Sequence, residues 1–472
     1  MKTSSKFTLY GGASLLVMGL AAPASADCTS TAGSAAAPES GATVTCTSPL
    51  RTEPTQAPSA SNVTVTTDGS SAGYSVTGQT AVLLGSDATV NVNEGGQIAT
   101  SGDDAIGVDA GSNSSVTVSG SQNATGQITT QGERSTAIRL GEQSQVDISG
   151  RVVTNGSNAN AVVVGGNSTV TIQNGGIVRS NSGQSAAIFS TGSGVTVNVN
   201  EGAQVATSSS GSNPISLSGS GATVRIGGLV TSSAGNSDAV SLTGANSTVT
   251  VTGTGEVRAS ASGSDLISAT GTGSTITLEA SGPALAAGSG GGQAAARVGD
   301  QGTVNVNREI RASSSNSLGV AATNNATINV NTQGSIVASS SQATAVRLES
   351  TQSSSTNRVN VNQGAGIDAS GGQAIVASGS GREIVQIDGN VTGQNGAAVV
   401  ELGGGDDELT VSSTGTLSAP GSNTLVDGGD GMDTAISPTR RPTRRHGSGR
   451  SNSSTRPAAA PRSMPGPARI PA

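Results

Sequence analysis

An apolar-polar-apolar beat recurs thirteen times along this 472-residue chain. It begins at Val90, Val116, Val146, Val170, Val197, Val224, Val249, Ile276, Val304, Ile328, Val359, Val385 and Leu409, at intervals of 24–31 residues averaging about 26.6. Self-similarity at such a period marks a solenoid, whose repeats bury their apolar faces only by stacking on neighbours. Each repeat holds three short pieces of period two. One copy reads Ala239-Val240-Ser241-Leu242, Val249-Thr250-Val251 and Val257; another reads Ile328-Asn329-Val330, Ile336-Val337 and Ala345-Val346-Arg347-Leu348. Alternate strand residues face opposite sides, so Val and Ile point one way and Thr, Asn or Arg the other. Gly, Ser and Asn separate the pieces, which is turn chemistry. The pattern predicts an all-β chain, a right-handed parallel β-helix of about 13 coils over residues 80–434. At ~4.8 Å per strand, such a stack is a rod of roughly 60 Å.

Five copies take a stronger form: Val90-Asn91-Val92-Asn93, Val197-Asn198-Val199-Asn200, Val304-Asn305-Val306-Asn307, Ile328-Asn329-Val330-Asn331 and Val359-Asn360-Val361-Asn362. They would set Asn and Thr into outward ladders that hydrogen-bond along the stack. Composition agrees with a narrow coil. Small and β-branched residues fill the inward positions, and 69 glycines serve the corners. Abundant Ser and Gly would otherwise suggest disorder, but disordered tracts have no reason to keep an apolar register over 319 residues. A transmembrane barrel needs longer strands and aromatic girdles, whereas beyond the leader only Tyr74 and Phe189 are aromatic.

Residues 1–26 read as a secretory signal. Lys2 and Lys6 supply the charge, Gly11 to Ala22 the apolar run, and Ala24-Ser25-Ala26 the cleavage site before Asp27. A run of twelve is too short for a membrane-spanning helix, and Asp27 stands where a lipidated Cys28 would need a small residue. Residues 27–79 form an N-terminal cap region containing the only cysteines, Cys28 and Cys46. In an oxidising compartment a structural disulfide between them is favoured over a zinc site, which would lack further ligands. From Asp27 to Asp433 the chain carries 13 Arg, no Lys and 30 acids, a net of −17, which repels nucleic acid and anionic membranes. Pro438 to Ala472 holds eight Arg, seven Pro and no acid. Residues 435–472 are therefore expected to be a disordered Arg/Pro-rich tail. From Ser437 onward the frameshifted end of a GC-rich gene is favoured over a linker or a basic arm for lipopolysaccharide or nucleic acid.

The signal sequence, the early pair Cys28-Thr29-Ser30 … Thr45-Cys46-Thr47 and the Gly-rich coils resemble the passenger region of bacterial autotransporters of the type V secretion system. So do Leu402-Gly403-Gly404-Gly405-Asp406-Asp407-Glu408-Leu409-Thr410-Val411 and Val426-Asp427-Gly428-Gly429-Asp430-Gly431-Met432-Asp433-Thr434, which are similar to the end of a passenger stem. The likeness covers roughly residues 27–434. It implies a pertactin-like β-helix at the cell surface or outer membrane, or secreted, with adhesion to host or bacterial surface ligands or self-association as its work. It also implies an outer-membrane β-barrel translocator as partner. No barrel sequence follows here, and a truncated product would stay in the periplasm as a non-functional fragment.

Catalytic chemistry finds little support. The single histidine, His446, lies in the tail between Arg445 and Gly447, and a Ser-His-Asp triad needs a histidine held by packing. Paired carboxylates, Asp103-Asp104 and Asp406-Asp407-Glu408, would serve a polysaccharide-active β-helix. Adjacent strand residues point to opposite faces, however, so turn chemistry is the simpler reading. No enzyme, cofactor or catalytic residue is therefore expected. Gly428-Gly429-Asp430-Gly431-Met432-Asp433-Thr434-Ala435 nearly fits a calcium-binding nonapeptide. Yet Asp407 and Asp433 lie 26 apart, the coil period. Corner acids are expected at Asp406, Asp407, Asp430 and Asp433 rather than calcium ligands. Triplets such as Asn62-Val63-Thr64 are abundant and follow from composition.

Overall fold

The computed structural model describes residues 28–437, except 48, 121–124, 261, 288–291, 395–397 and 420–423, together with residues 463–465. The leader at 1–26 and nearly all of the tail, His446 included, lie outside the described residues. Among the described residues there is no helix; the chain is a parallel β-solenoid. Each turn gives one strand to each of three faces. In one turn these are Thr89–Val92 in the first sheet, Gln97–Ser101 in the third face and Val108–Ala110 in the second sheet, before Ser115–Val118 opens the next turn. The second sheet has 15 strands, and the third face is two sheets of eight and six strands, giving about 14 turns.

The register follows the sequence beat. Val90 pairs with Val116, Val116 with Val146, and Val249 with Ile276. All thirteen beat residues are at most 2% exposed and belong to one continuous core. Burying each Val or Ile contributes about 1.5–3 kcal/mol, and their β-branched shape suits a pleated wall. The first sheet also continues past the thirteen copies. Thr43–Cys46 and Thr64–Thr67 pair in parallel ahead of Thr89–Val92, and Met432–Ile436 follows Glu408–Val411. In these rungs Cys46, Thr67 and Ala435 stand where an apolar beat residue is expected, which hid them from the pattern. The sheet thus runs unbroken across residue 80.

Both ends of the first sheet carry an antiparallel strand. Cys28–Ser30 lies along Thr43–Cys46, and Ser463–Pro465 along Met432–Thr434. A disulfide joins Cys28 to Cys46. Behind it lies Tyr74, wholly buried. Thr55 Oγ1 donates to the Ala35 carbonyl at 2.8 Å, so it accepts from the Tyr74 hydroxyl, also at 2.8 Å. That satisfied hydroxyl makes Tyr74 tolerable in the core, and burial pushes its pKa up.

The third face changes sheets once, between Glu256–Ala259 and Leu285–Ala286. Arg308 occupies the gap. Only 3% exposed, it reaches back across two coils to donate from Nη1 to Thr252 O at 3.1 Å and from both Nη atoms to Gly255 O at 3.3 Å. Among the described residues it makes no ion pair; burial presses its pKa below the ordinary arginine value while Glu279 opposes the shift. Removing it would strand the Gly255 carbonyl, which the interrupted ladder leaves open, while Thr252 O keeps the Gly255 N–H. Arg308→Met is expected to destabilise the solenoid by about 2–4 kcal/mol, read as a lower urea midpoint. Arg358→Met, on an exposed position of the first sheet, should change it little.

Candidate functional site

Two features of the solenoid could carry function: the outward ranks of the first sheet and the acidic corners near its end. The outward positions stack in register. Thr169, Thr196, Thr223, Thr248, Thr275, Thr303 and Thr327 form an unbroken threonine ladder over seven turns. Two residues along each strand runs a second rank. There Asn329 Nδ2 donates to Asn305 Oδ1 at 2.9 Å and Asn360 Nδ2 to Asn329 Oδ1 at 2.8 Å. Beside it Asn331 donates to Asn307 at 2.9 Å and Asn362 to Asn331 at 2.7 Å. Each amide keeps a second N–H for solvent or a partner. The ladders expected from the Val-Asn-Val-Asn copies are thus formed from Asn305 to Asn362.

The corners are built by a device the sequence pattern did not reveal. Where the chain turns into the first sheet, one backbone N–H per coil leaves the ladder. The Ser hydroxyl of the next coil accepts it: Ala88 N–H donates to Ser114 Oγ at 3.2 Å, Ser114 N–H to Ser144 Oγ at 3.2 Å and Ser144 N–H to Ser168 Oγ at 3.0 Å. A second corner repeats the arrangement through Ser185, Ser212, Ser237 and Ser264 at 2.9–3.2 Å. The residue before each such Ser takes positive φ, as at Asn113, Asn167 and Asn236, between 54° and 57°. Asn tolerates this left-handed conformation better than most side chains, and Gly211 and Gly263 take it in other turns. Triplets such as Asn113-Ser114-Ser115 and Asn167-Ser168-Thr169 therefore have a structural cause as well as a compositional one. They write corner, cap and strand start in order, and aligning them by the coil period would have exposed the ladder.

Toward the end of the stack the same corner changes chemistry. Asn357 Oδ1 accepts from Ala326 N at 3.0 Å, Asp407 Oδ1 from Glu383 N at 2.8 Å, and Asp433 Oδ1 from Asp407 N at 3.1 Å. Glu383, Asp407 and Asp433 are buried, at 1%, 2% and 8% exposure. Ser350 Oγ donates to Glu383 Oε1 at 2.5 Å and Asn357 Nδ2 to the same oxygen at 3.3 Å, but among the described residues Asp407 Oδ2 has no hydrogen-bond partner. Burial, reinforced by the neighbouring Glu383 and Asp433, pushes the Asp407 carboxyl up to about 8. Burial raises Glu383 and Asp433 as well.

The candidate carboxylates come apart in space. Asp103 accepts the Glu133 N–H at 2.9 Å; Asp104, at φ 59°, pairs with Arg134 through both carboxylate oxygens at 2.8 and 2.9 Å. That guanidinium holds Asp104 below the usual carboxylate range. Asp406 is exposed and accepts from Met432 N at 2.9 Å, Asp407 lies inside, and Glu408 pairs outward with Arg382 at 2.9 Å. Three consecutive acids thus face three directions. Asp407 and Asp433 occupy equivalent corners of adjacent coils. Among the described residues no three His, Cys, Asp or Glu side chains are grouped to hold a metal ion. Sequence reasoning missed Glu383, the third buried acid, which sits beside Arg382 like a surface residue but lies one coil period before Asp407.

No family model, curated protein or solved structure matches this chain.

A carboxyl whose folded pKa is raised binds its proton more tightly when folded. Its stabilising effect is complete below the ordinary carboxylate pKa, weakens as pH rises, and is gone above about 8 for Asp407. The turns around residues 383–436 are therefore expected to melt earlier at pH 9 than at pH 5. Asp407→Asn, which keeps the acceptor for Glu383 N and carries no charge, should flatten that dependence. Thermal unfolding followed by limited proteolysis at the two pH values measures it. An equal drop in the Asn variant would show that Asp407 is not the titrating group.

Proposed function

We propose that this chain is the exported, non-enzymatic passenger of an autotransporter-type system. It acts in surface adhesion or self-association after delivery by an outer-membrane β-barrel translocator. The observation that carries the reading is the threonine ladder from Thr169 to Thr327 with its neighbouring Asn rank. A surface that repeats every ~4.8 Å offers the same donors and acceptors at each turn. A second surface of the same period meets it in register at many turns at once, so individually weak hydrogen bonds add through multivalency. The net charge of −17 between Asp27 and Asp433 keeps the rods soluble and makes their contact depend on salt, which screens like charges. The acids found at the corners cap backbone N–H groups or pair with arginines, a role in holding the rod rather than in turning over a substrate.

Expressed with a barrel fused behind it, the chain is expected to clump cells or fix them to a surface, more strongly at 0.3 M than at 0.03 M salt. Thr248→Lys with Thr275→Lys should weaken clumping at least fivefold, because two uncompensated charges enter the middle of the ladder. Clumping and attachment no different from cells displaying the barrel alone would defeat the proposal.

A further inference from the structure

The outer side of the second sheet changes between residues 294 and 379. Earlier turns give this sheet strands of three residues, such as Val108–Ala110 and Val162–Val164. Ala294–Val298, Leu318–Thr323, Thr344–Ser350 and Gln373–Gly379 have five to seven. The added residues Ala294 and Leu318 join Ala321, which holds the outward position of the ordinary three-residue strand, in an apolar cluster separate from the solenoid core. Beside it opens a groove of about 350 Å³, with Leu318 in its floor and Arg297, Arg347, Glu349, Gln342 and Gln373 along its walls. The lining is predominantly polar, with Leu318 its single apolar side chain, so the groove suits a ligand held by hydrogen bonds.

The polar groups are positioned rather than loose. Arg297 and Arg347 stand on one outward row with Ala321 between them in register, so two rung spacings, about 10 Å, separate their strands. Arg297 is fixed by Nε to Asp265 Oδ2 at 2.5 Å and by Nη2 to Gly292 O at 2.9 Å. Asp265 is itself buried and also accepts the Ala294 N–H at 2.6 Å. Arg347 pairs through Nε with Glu349 at 3.3 Å. Thr344 donates to Gln373 Oε1 at 3.1 Å, and Ser315 donates to Gln342 Oε1. These bonds engage the amide oxygens of Gln373 and Gln342, and amide, guanidinium and carboxylate side chains line the same groove.

We propose that this groove is a binding subsite for a neutral oligosaccharide. The inference rests on the adhesion reading above and gives it a ligand class. Sugar hydroxyls accept from amide and guanidinium N–H groups and donate to a carboxylate, and a pyranose ring can lay C–H bonds against Leu318. Two carboxylates, Asp265 and Glu349, match the two arginines, so the groove offers no uncompensated positive charge to a polyanion. An extended peptide would need an open strand edge, whereas Leu318–Thr323 and Thr344–Ser350 are paired on both sides.

The test is calorimetric titration of the full secreted chain with maltohexaose, cellohexaose and chitohexaose, with heparin and a mixed peptide library as comparison ligands. At least one neutral hexasaccharide should bind. Arg347→Ala and Gln373→Ala should each weaken that binding tenfold or more at unchanged melting temperature, and Arg139→Ala, on the same sheet far from the groove, should leave it intact. No binding by any of the three, binding indifferent to Arg347→Ala, or Arg347-dependent binding of heparin or peptide alone would overturn the assignment. Cell clumping is scored separately with the Thr248→Lys, Thr275→Lys variant. Lost glycan binding with retained clumping removes only this groove, and the reverse removes only self-association by the first sheet.

Discussion

Every coil depends on its neighbour to satisfy backbone N–H groups that it cannot satisfy itself. Within strands the parallel ladder does this. At corners it cannot, because the chain leaves the sheet to change direction, and an unpaired buried N–H costs as much as a lost hydrogen bond. The serine rows through Ser114, Ser144 and Ser168 and through Ser185, Ser212 and Ser237 supply the missing acceptor from the next coil. This couples all else. The left-handed residue before each Ser, whether Asn, Gln or Gly, sets the turn, the turn sets where the next strand begins, and the strand places its Val or Ile over that of the coil before.

The same constraint explains why acids appear inside the last turns. A carboxylate is as good an acceptor as a serine hydroxyl, and Asp407 and Asp433 do the same work as Ser114. They differ in charge. Three stacked carboxyls without a cation cannot all ionise in a buried corner, so the end of the stack carries a proton-dependent term that the serine corners lack. Arg308 is the opposite case, a buried cation that finds carbonyls rather than carboxylates where the third face changes sheets. Both are places where the repeat is interrupted or altered and a charged side chain makes up the hydrogen bonds.

With inward positions given to packing and corners to capping, the outward positions are the ones left to meet solvent. These divide into two kinds of surface. The first sheet offers a monotonous ladder, suited to a partner of the same period. The second sheet, between Ala294 and Gly379, breaks the monotony with longer strands and a polar groove walled by two arginines, each paired with a carboxylate. A repeating face favours many weak contacts, and an irregular one favours a single specific contact.

The sequence by itself determined the solenoid, its coil period and its core. Val249 and Ile276 are vertical neighbours because a period-two strand repeated at a near-constant interval can bury its Val and Ile only against the next copy. It also foretold the Asn ladders, since the Val-Asn-Val-Asn copies repeat in that same register. The tertiary structure decided what depends on contacts between coils. Thr64–Thr67 reads as polar until its place between two other rungs is known. Glu383 looks like the exposed half of an Arg-Glu pair until stacking puts it beneath Asp407. Arg308 meets carbonyls more than fifty residues earlier, and Arg297 and Arg347 become one groove only when Ala321 lies between them. Strand alternation is a local property that the chain writes directly. The chemistry of a corner or groove is a relation between residues one or two coils apart, and its partners are fixed only when the stack is built.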